Sequence, residues 1–533
     1  MKSFDYIIVG AGSAGCVLAN RLTADGSATV LVLEAGGPDR DPMIHIPLGL
    51  GWMHEKRNHD WGYDFEPDPN LNNRVVDAMR GKVLGGSSAI NHMSYVRGNR
   101  GDYDRWAASG LSDWSYAKVL PYFRRLETWE KGADDYRGGD GPLHISAANS
   151  PDPLFEAYTE AAMAIGIPFN PDYNGAKQDG VARSQWTNRN GRRHSAATAF
   201  LHPAMKRRNL TVETRAFATR ILLQGTRATG IEYLRDGAVT QAYAAREVIL
   251  SGGVFNSPQL LMLSGIGPAD VLRQHGITPV LDSPRIGQNL QDHLGAMVST
   301  TRPIAGPFRK EMRVDRMAMN LIRAYCFGSG PATSLPGGLH GYVRLQDSSP
   351  VPDIQFTFRG VSTDPHLWFP GFAKPYPDHC GVRTNILHPK SRGEIQLRSA
   401  NPFDKVRIVA NFLSEPDDIR TMIAGAKIAR ELLQQKPLSG FRGEEIAPGP
   451  KVQSDAEWTA YLRKAVSTVH HPLGTCAMGA GADSVLDGDF RLRGAEGLRV
   501  VDGSAMPDLV SGNINACILM MAEKASDAIL GRV

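Results

Sequence analysis

The segment 465-AVSTVHHPLGTCAMG-479 sets two histidines side by side, His470 and His471, ahead of Pro472. Imidazole is the one side chain whose unperturbed charge change falls near neutral pH, which suits it to take and return a proton. Adjacent histidines also occur as half of a metal site, as a surface loop, or as one packed and one solvated ring. The segment by itself does not choose among these. Proline steers the residue before it into an extended conformation. Neighbouring side chains on an extended chain point to opposite sides, so the two rings are expected to face different ways.

What these rings would act on depends on the first 36 residues. The β-branched run 4-FDYIIVG-10 leads into 10-GAGSAG-15, then a helical stretch 16-CVLANRL-22, then 29-TVLVLEAG-36 with Glu34 near its end. Strand, glycine turn, helix, strand and acidic residue follow in the order of a dinucleotide site. Gly10 permits the tight turn, Gly12 lets backbone approach a pyrophosphate, and Gly15 lets helix and strand pack closely. The helix start offers free N–H groups to phosphate, and Glu34 suits a ribose hydroxyl. This turn alone does not separate NAD from FAD, but no second GxGxxG follows a strand later in the chain, so a separate NAD domain is not expected.

The remaining chain must position this chemistry. Its 533 residues are 42% hydrophobic and 21% charged, ordinary for a globular protein of several domain-sized units. A net charge of +4 with no Lys/Arg block argues against nucleic acid. The N-terminus lacks the pattern of a signal peptide, and no apolar window is long enough for a membrane span. Five cysteines without C-x-x-C spacing argue against a disulfide framework and a zinc site. A cytoplasmic protein is expected, with peripheral membrane contact and self-association left open.

Segment 80-RGKVLGGSSAINHMSYVRG-98 is dense in small residues that let backbone approach a flat ligand. Segment 246-REVILSGGVFNSPQLLMLSGIGP-268 reads as a core strand, a glycine turn and a short apolar helix. Between 300 and 460 the runs 353-DIQFTF-358, 382-VRTNIL-387 and 394-EIQLRS-399 predict an antiparallel sheet, and 417-DDIRTMIAGAKIARELLQQ-435 predicts an amphipathic helix. A final helix is expected over 515–531.

Four separated motifs, GAGSAG with Glu34, GKVLGGSSAIN, GGVFNSPQLLMLSGIG, and HPLGT with GNINA, resemble the glucose–methanol–choline oxidoreductases across essentially the whole chain. Within that family the chain looks most like bacterial choline-dehydrogenase-like and sorbose-dehydrogenase-like enzymes. The resemblance implies an α/β fold, α+β overall, in which a Rossmann-like FAD-binding domain accompanies a substrate domain whose antiparallel sheet is backed by helices. The expected boundaries are 1–155, 195–300 and 462–533 for the FAD domain, and 156–194 and 301–461 for the substrate domain.

The same resemblance places the cofactor against Gly10, Gly12, Ser13, Ala14, Gly15, Glu34 and Ala35. From the second motif it adds Gly81, Val83, Gly86, Ser87, Asn91, His92, Met93 and Ser94. Ala218 meets the adenine, Ser251 and Gly252 follow the core strand, and Asp502, Gly503, Asn513 and Ile514 close the site. Relatives with covalent FAD carry a histidine where this chain has Ile90, so non-covalent FAD is implied; His92, two residues on, is a weak alternative. The expected activity is oxidation of an alcohol to aldehyde or ketone, with hydride passing to flavin N5. His471 is implied as the base and Asn513 as its partner, with capping of the last helix as the rival role for Asn513.

His470 is expected to line the substrate pocket. Choline-specific relatives place a glutamate after an NLQDH-type motif; counting from 289-NLQDH-293 reaches Thr301, with no carboxylate between 295 and 304. An uncharged primary alcohol, polyol or sugar is therefore favoured over choline. A quinone-type carrier is favoured as acceptor over oxygen. An oxidase, a choline dehydrogenase and a lyase-type relative on the same fold remain the alternatives. No metal is expected.

Overall fold

The computed structural model describes residues 2–532. The apolar run before Gly10 forms strand Lys2–Val9, followed by helix Ser13–Leu22 and strand Val30–Glu34. All five residues of Val30–Glu34 are buried, as expected for a strand covered on both faces. These strands belong to a seven-stranded sheet. Lys2–Val9 pairs in parallel with Val30–Glu34 on one side and with the end of Ala238–Leu250 on the other. Leu210–Thr214 extends the parallel set, and Leu498–Val500 joins it from the far end of the sequence. Arg227–Arg235 and Ala216–Gln224 continue the sheet as antiparallel strands.

A second seven-stranded sheet is antiparallel. Its central strands are Leu294–Thr301, His379–Ile386, Ile354–Arg359 and Gly337–Val343, with Gly180–Arg183 at one edge. Helix Pro416–Gln434 packs on one face. Gly425 permits the approach, because a Cβ there would stand 2.7 Å from Thr384 Cγ2. Two details differ from the sequence reading. Strand Leu294–Thr301 belongs to this sheet, although the sequence division grouped residues up to 300 with the cofactor portion. Glu394–Gln396 pairs with Arg407–Val409 in a separate two-stranded sheet rather than joining the main one.

The chain's last third locks the two sheets together. Helix Gly253–Leu263 contains Pro258, whose missing N–H leaves the Val254 carbonyl without its helical partner. The hydroxyl of Thr475, the last residue of HPLGT, donates to that carbonyl at 2.6 Å. The histidine segment is thereby pinned to the helix that follows the core strand of the first sheet. Helix Asn515–Ile529 ends the fold, and Gly531 beyond it has φ +65°.

Candidate active site

A cavity of about 1690 Å³ is lined from both sheets. That exceeds the ~300–1,000 Å³ of a small-ligand pocket and gives room for a large cofactor together with a second molecule. Gly10, Gly12, Ser13, Ala14, Glu34, Ala35 and Ala218 line one part, and His470, His471, Asn513 and Gln355 line another.

The nucleotide part is built by glycine turns in contact. Gly10 has φ +104°, and a Cβ there would stand 2.4 Å from the Ser251 carbonyl oxygen. Gly86 has φ +53°, and its Cβ would stand 2.7 Å from Gly12 Cα. The turns holding Gly12, Gly86 and Ser251 therefore converge at backbone distance. Glu34 accepts from the Ala11 N–H at 2.9 Å and the Gly36 N–H at 2.8 Å, which ties the first turn to the second strand. Burial still pushes its carboxyl up to about 7. A hydroxyl donor arriving at Glu34 would favour its charged form.

Helices Ser13–Leu22 and Asn515–Ile529 both begin without a side-chain cap, and residues at both starts line the cavity. Ser13 Oγ donates to Asn515 Oδ1 at 2.7 Å and joins the two starts. Their free N–H groups and dipoles favour negative charge. Asp502 accepts from the Gly253 and Ser504 N–H groups and the Ser257 and Ser504 hydroxyls, so it anchors the turn carrying Gly503.

At the histidine end a hydrogen-bonded chain sets the tautomers. His293 Nε2 lies 2.9 Å from the Leu387 carbonyl oxygen, which only accepts, so His293 Nε2 carries its proton. Burial pushes His293 down to about 3 and His471 well below the usual imidazole range, so both rings are neutral. The bare Nδ1 of His293 then accepts from the Nδ1–H of His471 at 2.9 Å. That leaves His471 Nε2 with a free lone pair, facing the Asn513 amide at 3.0 Å. Gln355 Nε2 donates to Asn513 Oδ1 at 3.3 Å and turns the Asn513 N–H groups toward His471. The His471 backbone N–H donates to Asp292 Oδ1 at 2.8 Å.

The remaining expected residues fall into two groups. Gly81, Ser87, Asn91, His92, Ser94, Gly252, Gly503 and Ile514 line the cavity. Gly15, Val83, Met93 and Thr301 do not. Gly15 serves packing, since its Cβ would overlap the Gly10 carbonyl oxygen at 1.9 Å. Val83 packs with Ile44, Met53 and Ala89 against the wall residue Ile90, and Met93 with Ala148 against the wall residue Trp186. Thr301 ends its strand, and its hydroxyl accepts from the Glu444 N–H at 3.0 Å. The count from NLQDH therefore reaches a residue outside the cavity, and its lack of charge says nothing about the substrate.

His470 also departs from expectation. Its φ is +61°, so the backbone is left-handed rather than extended, and both rings line the same cavity. Arg80 Nη2 donates to the His470 carbonyl at 2.9 Å, and the His470 N–H to Thr468 Oγ1 at 2.7 Å, which holds that conformation. Asn513 does not cap the last helix; Ile514 occupies the cap position. His293, Asp292 and Gln355 were not singled out from sequence. The first two stand in NLQDH, and a histidine after a carboxylate in a polar segment was the available signal. Gln355 alternates with apolar residues inside a strand and carried none.

The sequence matches the GMC oxidoreductase family over residues 4–295 and again over 389–522. The chain belongs to that family. It is similar to mitochondrial choline dehydrogenase of Mus musculus, 43% identical over 540 residues that cover 99% of this chain and 89% of that protein. It is also similar to the oxygen-dependent choline dehydrogenase of Staphylococcus xylosus, 41% identical, covering 100% and 95%. Among solved structures, pyridoxine 4-oxidase from Mesorbium loti superposes with a TM-score of 0.88 at 31% identity, covering 98% of each chain. Formate oxidase of Aspergillus oryzae superposes at 0.89 with 28% identity, covering 99% of this chain and 98% of that one.

The protein is a GMC oxidoreductase with FAD as cofactor and alcohol-type oxidation as its class of reaction. The residues fit that cofactor. Two uncapped helix starts and the turn at Gly12 suit the pyrophosphate, and buried Glu34 suits a ribose. No described helix is long and apolar enough to cross a membrane.

Proposed function

We propose that this protein oxidises an alcohol to an aldehyde or ketone, with His471 Nε2 taking the hydroxyl proton and Asn513 holding the alkoxide. The observation that carries this reading is the chain from the Leu387 carbonyl through His293 and His471 to Asn513, which leaves the Nε2 lone pair of His471 as the base at the cavity. A substrate hydroxyl taking the place of the Asn513–His471 bond meets that lone pair and an amide donor together. General-base assistance of this kind contributes ~10²–10⁴-fold, and a fixed donor at the developing oxyanion contributes further. When bound, the flavin supplies the hydride acceptor at N5. Its attachment is non-covalent: the family position for a linking histidine is Ile90, which packs in an apolar cluster. His92, beside it, sits edge-on to His54 at 5.3 Å.

The two sheets are the cores of a cofactor portion and a substrate portion, with the active site at their junction. A quinone-type carrier is the proposed acceptor, with oxygen as the alternative that the oxygen-dependent relatives favour. An anaerobic panel of alcohols, read as bleaching of the flavin with oxygen uptake measured in parallel, tests substrate class and acceptor together. His471→Ala is expected to lower the reduction rate by orders of magnitude with flavin content unchanged. A wild-type flavin that no alcohol bleaches would sink the reading. Choline is the second substrate reading, supported by the full-length relatives at 41–43% identity.

A further inference from the structure

Four arginines line the cavity; Arg57 pairs with Asp60 and Asp64, which leaves Arg80, Arg359 and Arg383. Among the described residues, no Asp or Glu oxygen lies within ion-pair distance of any of these three. Two have structural employment. Arg80 donates to the His470 carbonyl. Arg383 donates to the Ser467 and Thr468 carbonyls at 3.1 and 3.0 Å and to Asn385 Oδ1 at 3.2 Å. Both therefore hold the segment that carries the histidine pair. Arg359 differs: its guanidinium has no hydrogen-bond or ion-pair partner among the described residues.

Its position in the sheet is informative. Gln355, Thr357 and Arg359 alternate along one strand and all three line the cavity. Gln355 touches Asn513 at the reacting end. Arg359 follows four residues later, about 13 Å along an antiparallel strand. Arg359 lines the same cavity as His92 and Arg383. The side chain is half-buried and its guanidinium opens onto the cavity, so its fork is free to receive an anionic group that enters there. The carboxylates on the nucleotide side are already engaged, Glu34 by two N–H groups and Asp502 by four donors.

We propose that the substrate is an alcohol carrying a carboxylate, which Arg359 binds while the hydroxyl lies at His471. This rests on the alcohol-oxidation reading above and replaces its uncharged substrate with a hydroxy acid. A planar, bidentate carboxylate matches a single guanidinium fork, whereas choline would bring a cation toward Arg359 and Arg383. The spacing along the strand requires several bonds between the carboxylate and the oxidised carbon.

The test compares 6-hydroxyhexanoate, 1-hexanol and choline as anaerobic reductants of the flavin-loaded enzyme, with wild type, Arg359→Gln and Arg359→Lys. Binding of the unreactive pair hexanoate and hexanamide is followed by calorimetry. The expected result is a KM for 6-hydroxyhexanoate below that for hexanol. Arg359→Gln should raise that KM and the hexanoate Kd about 10- to 100-fold, the loss of a charge-assisted hydrogen bond. Hexanol kinetics should change far less than those of 6-hydroxyhexanoate, flavin content should hold, and Arg359→Lys should recover part of the loss. Hexanol or choline reducing the enzyme better than the hydroxy acid overturns the proposal and leaves the function standing. So does an equal effect of Arg359→Gln on both hexanoate and hexanamide, or loss of flavin in that variant, which would assign Arg359 to the cofactor. Failure of all three compounds and of every other alcohol to reduce the flavin overturns the function itself, and the proposal with it.

Discussion

In the proposed mechanism His293 decides which nitrogen of His471 acts as the base, and its replacement by leucine tests that assignment. In the wild-type protein the His293 Nε2–H is committed to the Leu387 carbonyl at 2.9 Å, so its Nδ1 can only accept. The opposite tautomers would set a lone pair against that carbonyl, which costs about 1–3 kcal/mol for a buried polar group left unmade. His293→Leu removes the acceptor of the His471 Nδ1–H, and with it the bias that keeps Nε2 bare. The fraction of His471 ready to accept a proton falls, and with it the rate of flavin reduction, by about 5- to 150-fold. His293→Asn keeps a carbonyl oxygen able to accept from Nδ1–H and is expected to recover most of the rate. The assay is anaerobic stopped-flow bleaching at saturating alcohol, with flavin content and Tm measured for each variant. A folded, flavin-loaded His293→Leu enzyme with a rate within about twofold of wild type would refute the tautomer argument. An equal loss in His293→Leu and His293→Asn would do the same, since it would assign the effect to packing.

Further outcomes follow from the same geometry. Because burial holds His471 well below the usual imidazole range, its base form persists on acidification, so kcat/KM is expected to stay level through pH 6.5 and fall only below it. Stability should move oppositely. His194 and His293 are held down to about 3, so the unfolded chain takes up protons below pH 6.5 that the folded one refuses. Urea denaturation should show each costing about 2 kcal/mol between pH 6.5 and 5. Gly86→Ala places a Cβ 2.7 Å from Gly12 Cα at φ +53°, so the two turns must part. The flavin-to-protein absorbance ratio should fall to a fraction of wild type. Glu127 is fully buried between Arg97 and Arg137, each at 2.7 Å, and Glu127→Gln should lower unfolding free energy by about 3–5 kcal/mol in urea titration.

The nucleotide half of the site was legible in the sequence because it is local. A strand, a glycine turn and a helix start lie within some twenty residues, and steric rules state which positions must be glycine. The HPLGT and GNINA segments were also readable as a pair, through their resemblance to a known family. Element positions in the second sheet were predicted well where alternation is strong, as in Ile354–Arg359, and less well at Glu394–Gln396, where pairing partners decide membership.

What the sequence by itself determined was the list of chemical groups and their local backbone demands. Tertiary structure alone decided their alignment. His293 lies 178 residues from His471 and Gln355 lies 158 from Asn513, so no spacing in the chain announces either contact. The left-handed turn at His470, which brings both rings to one cavity, depends on Arg80 from 390 residues away. Thr301 and Arg359 show the same point from both sides. A count along the chain picked Thr301, while the pleat of the sheet put Arg359 in the cavity, unpaired, because side-chain direction in a strand follows pairing rather than distance from a motif.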